Sequence, residues 1–234
     1  MESSPVTFFP VTTREELEEA AELIGECFAE AEPLTVSDEG GNKEAMAQYV
    51  RVCVAPAVVE SLEDGEGDLS WVAKDKKEGK IVAAFLAHKS TRKCPDLPSD
   101  APGAQYFASV GDFFQDLHKA RETPSAFEPE KTLKFSLACV HKDFRGHRLQ
   151  RQGYQRSAEA ARKRGYTCVF VEATSVASQK SVTERSTKIV AELQYASWRD
   201  SKGRGAFARA PELTGETKAF LIETPLALGE EAGG

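Results

Sequence analysis

The sequence predicts a mixed α/β domain built on one central mixed sheet with helices on both faces. The first observation is a strand over residues 132–140, a charged turn and a helix stopped by Gly165, followed by a buried strand over residues 167–172. When the helix of such a unit crosses over the sheet, its two strands lie parallel. The second observation is a hairpin pattern on each side of this unit, over residues 70–86 and 189–224, which adds antiparallel strands.

The N-terminal segment predicts a strand followed by two helices. Residues 6–11 are β-branched and aromatic, and each of the two threonines that follow has a glutamate three residues later. This capping-box pattern starts a helix, and Pro33 closes it. A second helix is expected over residues 43–62, interrupted or kinked at Pro56.

The middle of the chain predicts a hairpin and a long excursion. Residues 70–73 and 81–86 flank a charged turn that contains Gly79, which is typical of two adjacent antiparallel strands. Residues 90–128 contain several prolines and show a sustained period only near residues 110–117, so one helix is expected there. A connection of this length in a compact domain is usually functional or mobile.

The C-terminal third predicts a short helix over residues 178–185 and strands over residues 189–195 and 218–224. Residues 229–234 have nothing to pack. We therefore expect a single domain over residues 1–228 and a flexible tail after it.

Composition limits the classes of partner. The chain has 234 residues, and its 30 Lys and Arg stand against 37 Asp and Glu, a formal net charge of −7. This balance argues against nucleic acid as the main partner and suits a cationic substrate. The longest strongly apolar run, residues 81–87, is too short for a bilayer, and the N-terminus lacks the basic region of a secretory signal. We expect a soluble, cytoplasmic monomer or weak dimer without a membrane partner.

The cysteines and histidines predict neither a disulfide framework nor a metal site. The five cysteines are widely spaced and form no C-x-x-C motif, so reduced thiols are expected. The four histidines never fall at the i, i+4 spacing with a glutamate between them that binds zinc. Cys139, on the strand over residues 132–140, is interpreted as a small buried residue because no motif places a histidine to activate it.

The turn after residue 140 is the most informative segment. Arg145 and Gly146 directly precede a helix. Free backbone N–H groups, the positive end of the helix dipole and a guanidinium together suit a pyrophosphate. Two other interpretations remain open: a basic, solvated helix start, or a second register over residues 150–153 that uses Gly153.

Three segments of the chain resemble one known family. They are residues 28–34 (FAEAEPL), residues 138–146 (ACVHKDFRG), and residues 174–178 (TSVAS) with 188–195 (KIVAELQY). Together with the order of elements, they resemble the GCN5-related N-acetyltransferases, most of all the insect-type arylalkylamine N-acetyltransferases. The resemblance covers nearly the whole chain. It implies that the two parallel strands splay apart at the Arg145 end.

The resemblance implies an enzyme that transfers an acetyl group from acetyl-CoA directly to a small primary amine, of arylalkylamine or polyamine type, in a ternary complex without a metal. The implied cofactor-binding residues are Ala138, Cys139, Val140, Arg145, Gly146, His147, Arg148, Leu149, Gln150 and Arg151. Arg148 and Gln150 stand where the family has two glycines, whose missing side chains let phosphate approach the backbone. Basic side chains at positions 147, 148 and 151 are expected to compensate.

Glu32 is the catalytic base that the resemblance implies. Pro33 biases the backbone of Glu32 to the extended region, so its side chain leaves the helix end at a fixed angle. An ammonium with a pKa near 10.4 is neutral in only about one molecule in 2,500 at pH 7, so a base removes part of the barrier. The alternative interpretation is an ordinary exposed glutamate at a helix end.

Ser178 and Thr174 align, by resemblance, with two serines of the family, one of which is a candidate proton donor to the departing thiolate. Serine and threonine after a strand are also common helix N-caps, so this interpretation stays open. No tyrosine lies between Tyr166 and Tyr195, and the tyrosine acid of many acetyltransferases has no obvious counterpart.

Two classes of function follow. The first is the acetyltransferase, which the retained Glu32, Pro33 and Leu34 favour. The second is a non-catalytic module of the same fold that binds CoA weakly or another partner, which the two replaced glycines favour. Acetylation of a protein lysine or N-terminus is a third possibility. Stabilisation of the chain by acetyl-CoA separates a cofactor binder from the rest.

Overall fold

The chain forms one seven-stranded sheet. A computed structural model describes residues 4–121, 127–183 and 187–226. The strands are β1 (Val6–Pro10), β2 (Trp71–Asp75), β3 (Ile81–Lys89), β4 (Thr132–Val140), β5 (Cys168–Ala173), β6 (Lys188–Gln194) and β7 (Lys218–Pro225). Their order is β1-β2-β3-β4-β5-β7-β6. Only β4 and β5 pair in parallel among these neighbours, so the predicted mixed sheet is confirmed.

Helices cover both faces of the sheet, as predicted. They are α1 (Arg14–Ala31), α2 (Pro33–Ser37), α3 (Lys43–Tyr49), α4 (Ala55–Glu63), α5 (Ala104–Lys119), α6 (Leu149–Lys163), α7 (Val176–Val182) and α8 (Ala210–Thr214). Phe85 and Leu86 are both fully buried but belong to two different core clusters, because successive side chains of a strand point to opposite faces. No helix in the described ranges combines the length and apolarity needed to cross a membrane.

The start of α1 forms one half of the predicted capping box, with Thr13 as the N-cap, and Glu16 bonds the residue before the cap instead of the cap itself. The Thr13 hydroxyl accepts a hydrogen bond from the backbone N–H of Glu16 at 3.2 Å. The Glu16 carboxylate accepts in return from the backbone N–H of Thr12 at 2.9 Å. The helix ends at Ala31, and Glu32 is extended (φ −80°, ψ 125°) before Pro33 begins α2.

The second predicted helix forms as two pieces. A π-helical segment, Val50–Val54, joins α3 to α4, so the interruption lies just before Pro56 and not at it. Pro56 has no N–H for the carbonyl four residues earlier, and its ring crowds that carbonyl, so the preceding turn widens.

Two helix starts and one short helix differ from the sequence-based prediction. The helix in the long excursion, α5, begins earlier and spans 16 residues. Ser175 caps α7, which therefore begins at Val176, before the expected residue 178. The short helix α8 was not predicted. Residues 184 and 185 of the expected short helix, and the expected tail over residues 229–234, lie outside the described residues.

Strands β4 and β5 part halfway along β4, which confirms the predicted splay. Their pairing runs from Thr132 opposite Cys168 to Phe135 opposite Val171. On its other side, β4 stays paired with β3 as far as Val140. A register shift places Ser136 as an extra residue in the β3–β4 ladder, and such bulges bend a strand. Residues 136–140 therefore border an open wedge.

Helix α6 packs closely on the sheet below this wedge. A Cβ atom added at Gly153 would lie 2.4 Å from the Phe85 ring, so only glycine allows this approach. Gly153 thus lies in the second turn of α6, inside the helix. The alternative turn over residues 150–153 is therefore excluded, and the turn before the helix is the one that contains Arg145 and Gly146.

Arg148, the N-cap of α6, has a left-handed backbone (φ 57°, ψ 25°). It is the only non-glycine residue with positive φ in the described part of the chain. Left-handed backbone costs a residue with a side chain roughly 1–2 kcal/mol relative to its preferred regions. The chain therefore keeps a glycine-like conformation at a position occupied by arginine.

We predict that Arg148→Gly raises the free energy of unfolding by about 1 kcal/mol, because it removes this strain. Arg151→Gly is the matched control. Arg151 lies within the first turn of α6, so the same exchange there should lower the free energy of unfolding by about 0.5–1 kcal/mol. Urea denaturation measures both values. Equal losses in the two variants would contradict the strain at Arg148.

Candidate functional site

The wedge between β4 and β5 opens into one cavity of about 1200 Å³. Its walls come from the end of α1, the second half of β4, the first turn of α6, α5 and α7. The lining includes these sequence-predicted site residues: Glu32, Ala138, Cys139, Val140, Arg145, Gly146, Arg148, Leu149, Gln150, Arg151, Thr174 and Ser178. His147 is exposed and is not among the lining residues, so it alone falls outside the predicted group.

The turn before α6 presents backbone N–H groups to one end of the cavity. Gly146 has φ 87°, and Arg148 continues the left-handed path into the helix. The cap residue makes no side-chain hydrogen bond to the helix start, and the first N–H groups of any helix lack partners within it. The Arg145 guanidinium lies 3.2 Å from the Glu30 carboxylate, so it is already paired. This end of the cavity is suited to a phosphate or another anion.

Glu32 lines the cavity with one carboxylate oxygen hydrogen-bonded and the other without a partner among the described residues. Its Oε2 accepts from both the backbone N–H and the hydroxyl of Thr35, each at 2.7 Å. Its Oε1 is buried and has no hydrogen-bond partner among the described residues. Burial raises the pKa of Glu32, and the hydrogen bonds from Thr35 act against that rise. The simple exposed-glutamate interpretation is therefore wrong: Glu32 caps α2 and also offers a buried proton acceptor.

The serines of α7 form a helix cap at the edge of the cavity. Ser175 and Ser178 form a reciprocal capping box. The Ser178 hydroxyl also donates to the Ser175 carbonyl at 2.7 Å. The Thr174 carbonyl accepts from the Tyr195 hydroxyl at 2.5 Å, which ties the end of β5 to the chain after β6. The N-cap interpretation thus describes Ser175 and Ser178, while the Thr174 side chain lies near Glu32.

The other end of the cavity has aromatic and apolar walls, largely from α5. The wall residues are Phe28, Met46, Tyr49, Phe107, Val110 and Phe114. The rings of Tyr49 and Phe107 stack with centroids 4.3 Å apart. Sequence reasoning assigned α5 no role in the site. The signal that it missed was the set of large apolar residues at helical spacing along α5.

A polar group of side chains forms the floor of this aromatic end. The Glu172 carboxylate accepts from His118 at 2.8 Å and pairs with Lys134 at 3.2 Å. Burial alone would raise the pKa of Glu172, but Lys134 and His118 outweigh it and lower the pKa to about 2. Glu172 is therefore a charge-compensated carboxylate at neutral pH, in contrast to Glu32.

His88 lies buried behind Ser136, outside the cavity lining, as a neutral imidazole. Burial lowers its pKa to about 4. Its Nδ1 lies 2.9 Å from the Lys89 carbonyl, which can only accept, so Nδ1 carries the proton. Nε2 then accepts from the Ser136 hydroxyl at 2.8 Å. His88 holds Ser136, the bulge residue of β4, in place.

The remaining thiols and acidic groups do not form a metal centre. Within residues 4–121, 127–183 and 187–226, no group of three or more His, Cys, Asp and Glu side chains is placed to hold a metal ion. Cys139 is 5% exposed and lines the cavity beside Cys27, and burial raises its thiol pKa well above the usual value. A protonated Cys139 is a poor nucleophile, which agrees with its interpretation as a buried small residue.

Comparison with known proteins gives matches at the level of structure. No family model matches the chain, and no curated protein matches its sequence. The C-terminal condensation domain of Ebony, solved with beta-alanyl-dopamine, matches with a TM-score of 0.73 and 16% identity over 94% of this chain and 98% of that one. Arylalkylamine N-acetyltransferase 2 from Aedes aegypti matches with a TM-score of 0.66 and 18% identity over 94% and 99%.

A third similar structure is the polyamine N-acetyltransferase of Drosophila melanogaster, an enzyme that forms N-acetylagmatine. It has a TM-score of 0.61 and 19% identity over 94% of this chain and 100% of that one. All three matches extend over nearly the whole of both chains, so the likeness is one of the overall fold. The chain therefore has the fold of the GCN5-related N-acetyltransferases that its motifs predicted.

Proposed function

We propose that this chain is an N-acetyltransferase that moves an acetyl group from acetyl-CoA directly to a small primary amine held in the same cavity. The observation that carries the proposal is the Glu32 carboxyl, whose free, buried Oε1 lies in a cavity between a phosphate-suited turn and an aromatic pocket. The three features belong to one continuous space. Direct transfer needs the donor and acceptor to meet there in a ternary complex.

The donor end of the cavity fits acetyl-CoA. Beyond Phe135, the side of β4 that faces the wedge leaves its ladder with β5, so its backbone groups are available to the amide-rich pantetheine arm. The start of α6 suits the pyrophosphate, and Arg148 and Arg151 bring positive charge where small residues would bring none. The left-handed backbone at Arg148 keeps the path of the glycine that it replaces. When bound, acetyl-CoA supplies an activated acetyl group to a neutral amine.

Glu32 supplies the proton acceptor for the amine. The acceptor arrives as an ammonium at neutral pH, and the Oε1 atom can take its proton directly or through a water. A pKa raised by burial brings the carboxylate closer to the basicity that a general base needs near neutral pH. Ser178 and Thr174 are our candidates for returning a proton to the departing sulfur. Ser178 must rotate its hydroxyl away from the Ser175 carbonyl to do so.

The acceptor pocket favours an arylalkylamine over a polyamine. Its walls are aromatic, and its floor carboxylate, Glu172, is compensated by Lys134 and His118. The other acidic lining residues besides Glu32 also have partners in the described chain: Glu30 pairs with Arg145, and Glu216 accepts from a backbone N–H. Among the described lining residues, a second cation would therefore find only Glu216 without a cationic partner, whereas a ring that carries a hydrogen-bond acceptor such as a hydroxyl can bind the Lys134 ammonium.

The alternative is a non-catalytic module of the same fold, and the replacement of two glycines by Arg148 and Gln150 favours it. Calorimetric titration with acetyl-CoA measures its affinity for the chain and so distinguishes the enzyme from the non-catalytic module. Micromolar affinity supports the enzyme, and absence of binding supports the module.

Replacing Glu32 with glutamine tests the function directly. Glutamine keeps the size and can still accept from Thr35, but it has no basicity. We expect kcat to fall about 10²–10⁴-fold at neutral pH. The loss should shrink as the pH approaches the pKa of the amine, because the substrate then arrives neutral. In the parent enzyme, activity should fall as the pH drops through the raised pKa of Glu32, since the base is then protonated.

Thiol release from acetyl-CoA with one arylalkylamine, measured across pH, gives these values. Glu26→Gln is the matched control, because Glu26 lies on the outer surface of α1, pairs with Lys43 and does not line the cavity. Both variants should bind acetyl-CoA as the parent does. Equal rates in Glu32→Gln and the parent at every pH would refute the base.

The charge on the pocket floor should determine the choice of acceptor. We predict that Lys134→Met lowers the ratio of kcat/KM for a hydroxyphenyl amine over agmatine about 10-fold or more, because it exposes the Glu172 charge and removes a charged donor. The pKa of Glu172 should rise toward its usual value in this variant. Lys131→Met is the control, since Lys131 pairs with Glu128 on the surface. An unchanged ratio would place acceptor selection elsewhere.

A further inference from the structure

We infer that Thr35 and Tyr106 are positioning residues for Glu32, and that their hydroxyl chain orients its carboxylate with Oε1 as the proton acceptor. The inference rests on the proposed function, in which Glu32 is the base. The Thr35 hydroxyl lies 2.7 Å from Glu32 Oε2 and 2.9 Å from the Tyr106 hydroxyl. Tyr106 belongs to α5, in the excursion to which the sequence assigned no role.

The direction of the chain follows from counting protons. An ionised carboxylate only accepts, so the single Thr35 hydroxyl proton points to Glu32. The Thr35 oxygen must then accept from Tyr106, which makes Tyr106 the donor at the far end. Burial raises the pKa of Tyr106 well above its usual value, so the phenol remains protonated and available as a donor. Two hydroxyl donors in series polarise each other and strengthen the bond to Oε2.

This arrangement leaves the two oxygens of Glu32 with different tasks. Oε2 is held by two donors of Thr35, the backbone N–H and the hydroxyl. Hydrogen bonds to the charged form lower the pKa of a carboxyl and oppose the effect of burial. Oε1 keeps its lone pairs for the cavity. Thr35 and Tyr106 thus oppose the rise in the Glu32 pKa that burial causes, and they direct Oε1 into the cavity without touching the acceptor themselves.

Three further titratable groups, Tyr195, Tyr49 and Asp38, lie near the hydroxyls of Thr35 and Tyr106. Tyr195, which follows β6, has a pKa raised by burial and by the charges of Glu32 and Glu216, so it stays neutral. Tyr49, on α3, also has a pKa raised by burial. Asp38, just after α2, accepts from the backbone N–H of Gly40. The ionisation state of Glu32 is therefore set mainly by its burial and by its own donors.

The backbone around Thr35 and Tyr106 is packed to hold them together. A Cβ atom added at Gly41 would lie 2.2 Å from the Thr35 carbonyl oxygen, and one added at Gly40 would lie 3.0 Å from the Tyr106 Cβ. A side chain at position 41 would therefore force the loop after α2 away from Thr35, and one at position 40 would make a tight contact with Tyr106. Phe107 packs against Tyr106 with ring centroids 4.6 Å apart. Contacts with Gly40, Gly41 and Phe107 thus hold Thr35 and Tyr106 in place next to Glu32.

Two single variants and their combination test the inference. Thr35→Val and Tyr106→Phe each remove one hydroxyl and keep the shape of the side chain. The pKa of Glu32 is measured by ¹³C NMR of protein labelled at the glutamate carboxyl carbons, with Glu32→Gln assigning the signal, and needs no turnover. We expect the pKa to rise by about 1 unit in Thr35→Val and by less in Tyr106→Phe. In the double variant, Tyr106→Phe should add nothing, because its effect passes through Thr35.

The pH profile of kcat/KM provides the second readout. Its acid limb should move to higher pH with the pKa of Glu32, so kcat/KM at pH 7 falls about 3–10-fold and recovers at alkaline pH. Acetyl-CoA affinity should not change. Tyr166→Phe is the control: it removes another tyrosine hydroxyl bonded to a glutamate, Glu66, outside the cavity lining. It should move neither the pKa of Glu32 nor the profile.

The outcomes separate this inference from the proposed function. A Glu32 pKa that stays unchanged in both single variants overturns the inference, whatever the rates do. A pKa that rises in the NMR titration supports the hydroxyl chain, and an acid limb that moves with it supports Glu32 as the base. If the pKa rises while the acid limb stays fixed, the hydroxyl chain stands and the base role of Glu32 fails.

Discussion

The parting of β4 from β5 is the constraint on which the rest of the site depends. Pairing stops after Phe135 and Val171, while β3 holds β4 in place to its end. A fully paired sheet would leave no space for a ligand and no available backbone groups on residues 136–140. The bulge at Ser136, held by the neutral His88, bends β4 at this point. The wedge is thus part of the sheet itself and does not depend on a mobile loop.

The wedge places two half-buried carboxylates, those of Glu32 and Glu172, in one cavity with opposite electrostatic surroundings. Glu172 meets Lys134 and His118, and its pKa falls to about 2. Glu32 meets only neutral donors, so burial dominates and its pKa rises. The same chemical group therefore has a lowered pKa at one position and a raised pKa at the other. This difference depends on neighbours that come from distant parts of the chain.

Much of the fold could be predicted because its signals are local. Each of these signals involves residues that lie close together in the sequence. Examples are the helix cap at Thr13, the glycine that ends α6 and the apolar runs of β3 to β5. The site was harder to predict. Glu32 and the turn at Arg145 were found by resemblance, but the role of α5 was missed, because nothing within residues 104–119 indicates which distant side chains Tyr106 and His118 contact. The contacts Tyr106–Thr35 and His118–Glu172 span 71 and 54 residues.

The sequence by itself determined most of the secondary structure, the mixed sheet and the residues able to perform acid–base chemistry. Tertiary structure alone decided the surroundings of those residues. It placed Ser178 in a helix cap, compensated Glu172, left Oε1 of Glu32 free and imposed a left-handed backbone on Arg148. The physical reason is that helix and strand formation depend on neighbours along the chain. Burial, charge pairing and hydrogen-bond partners depend on neighbours in space.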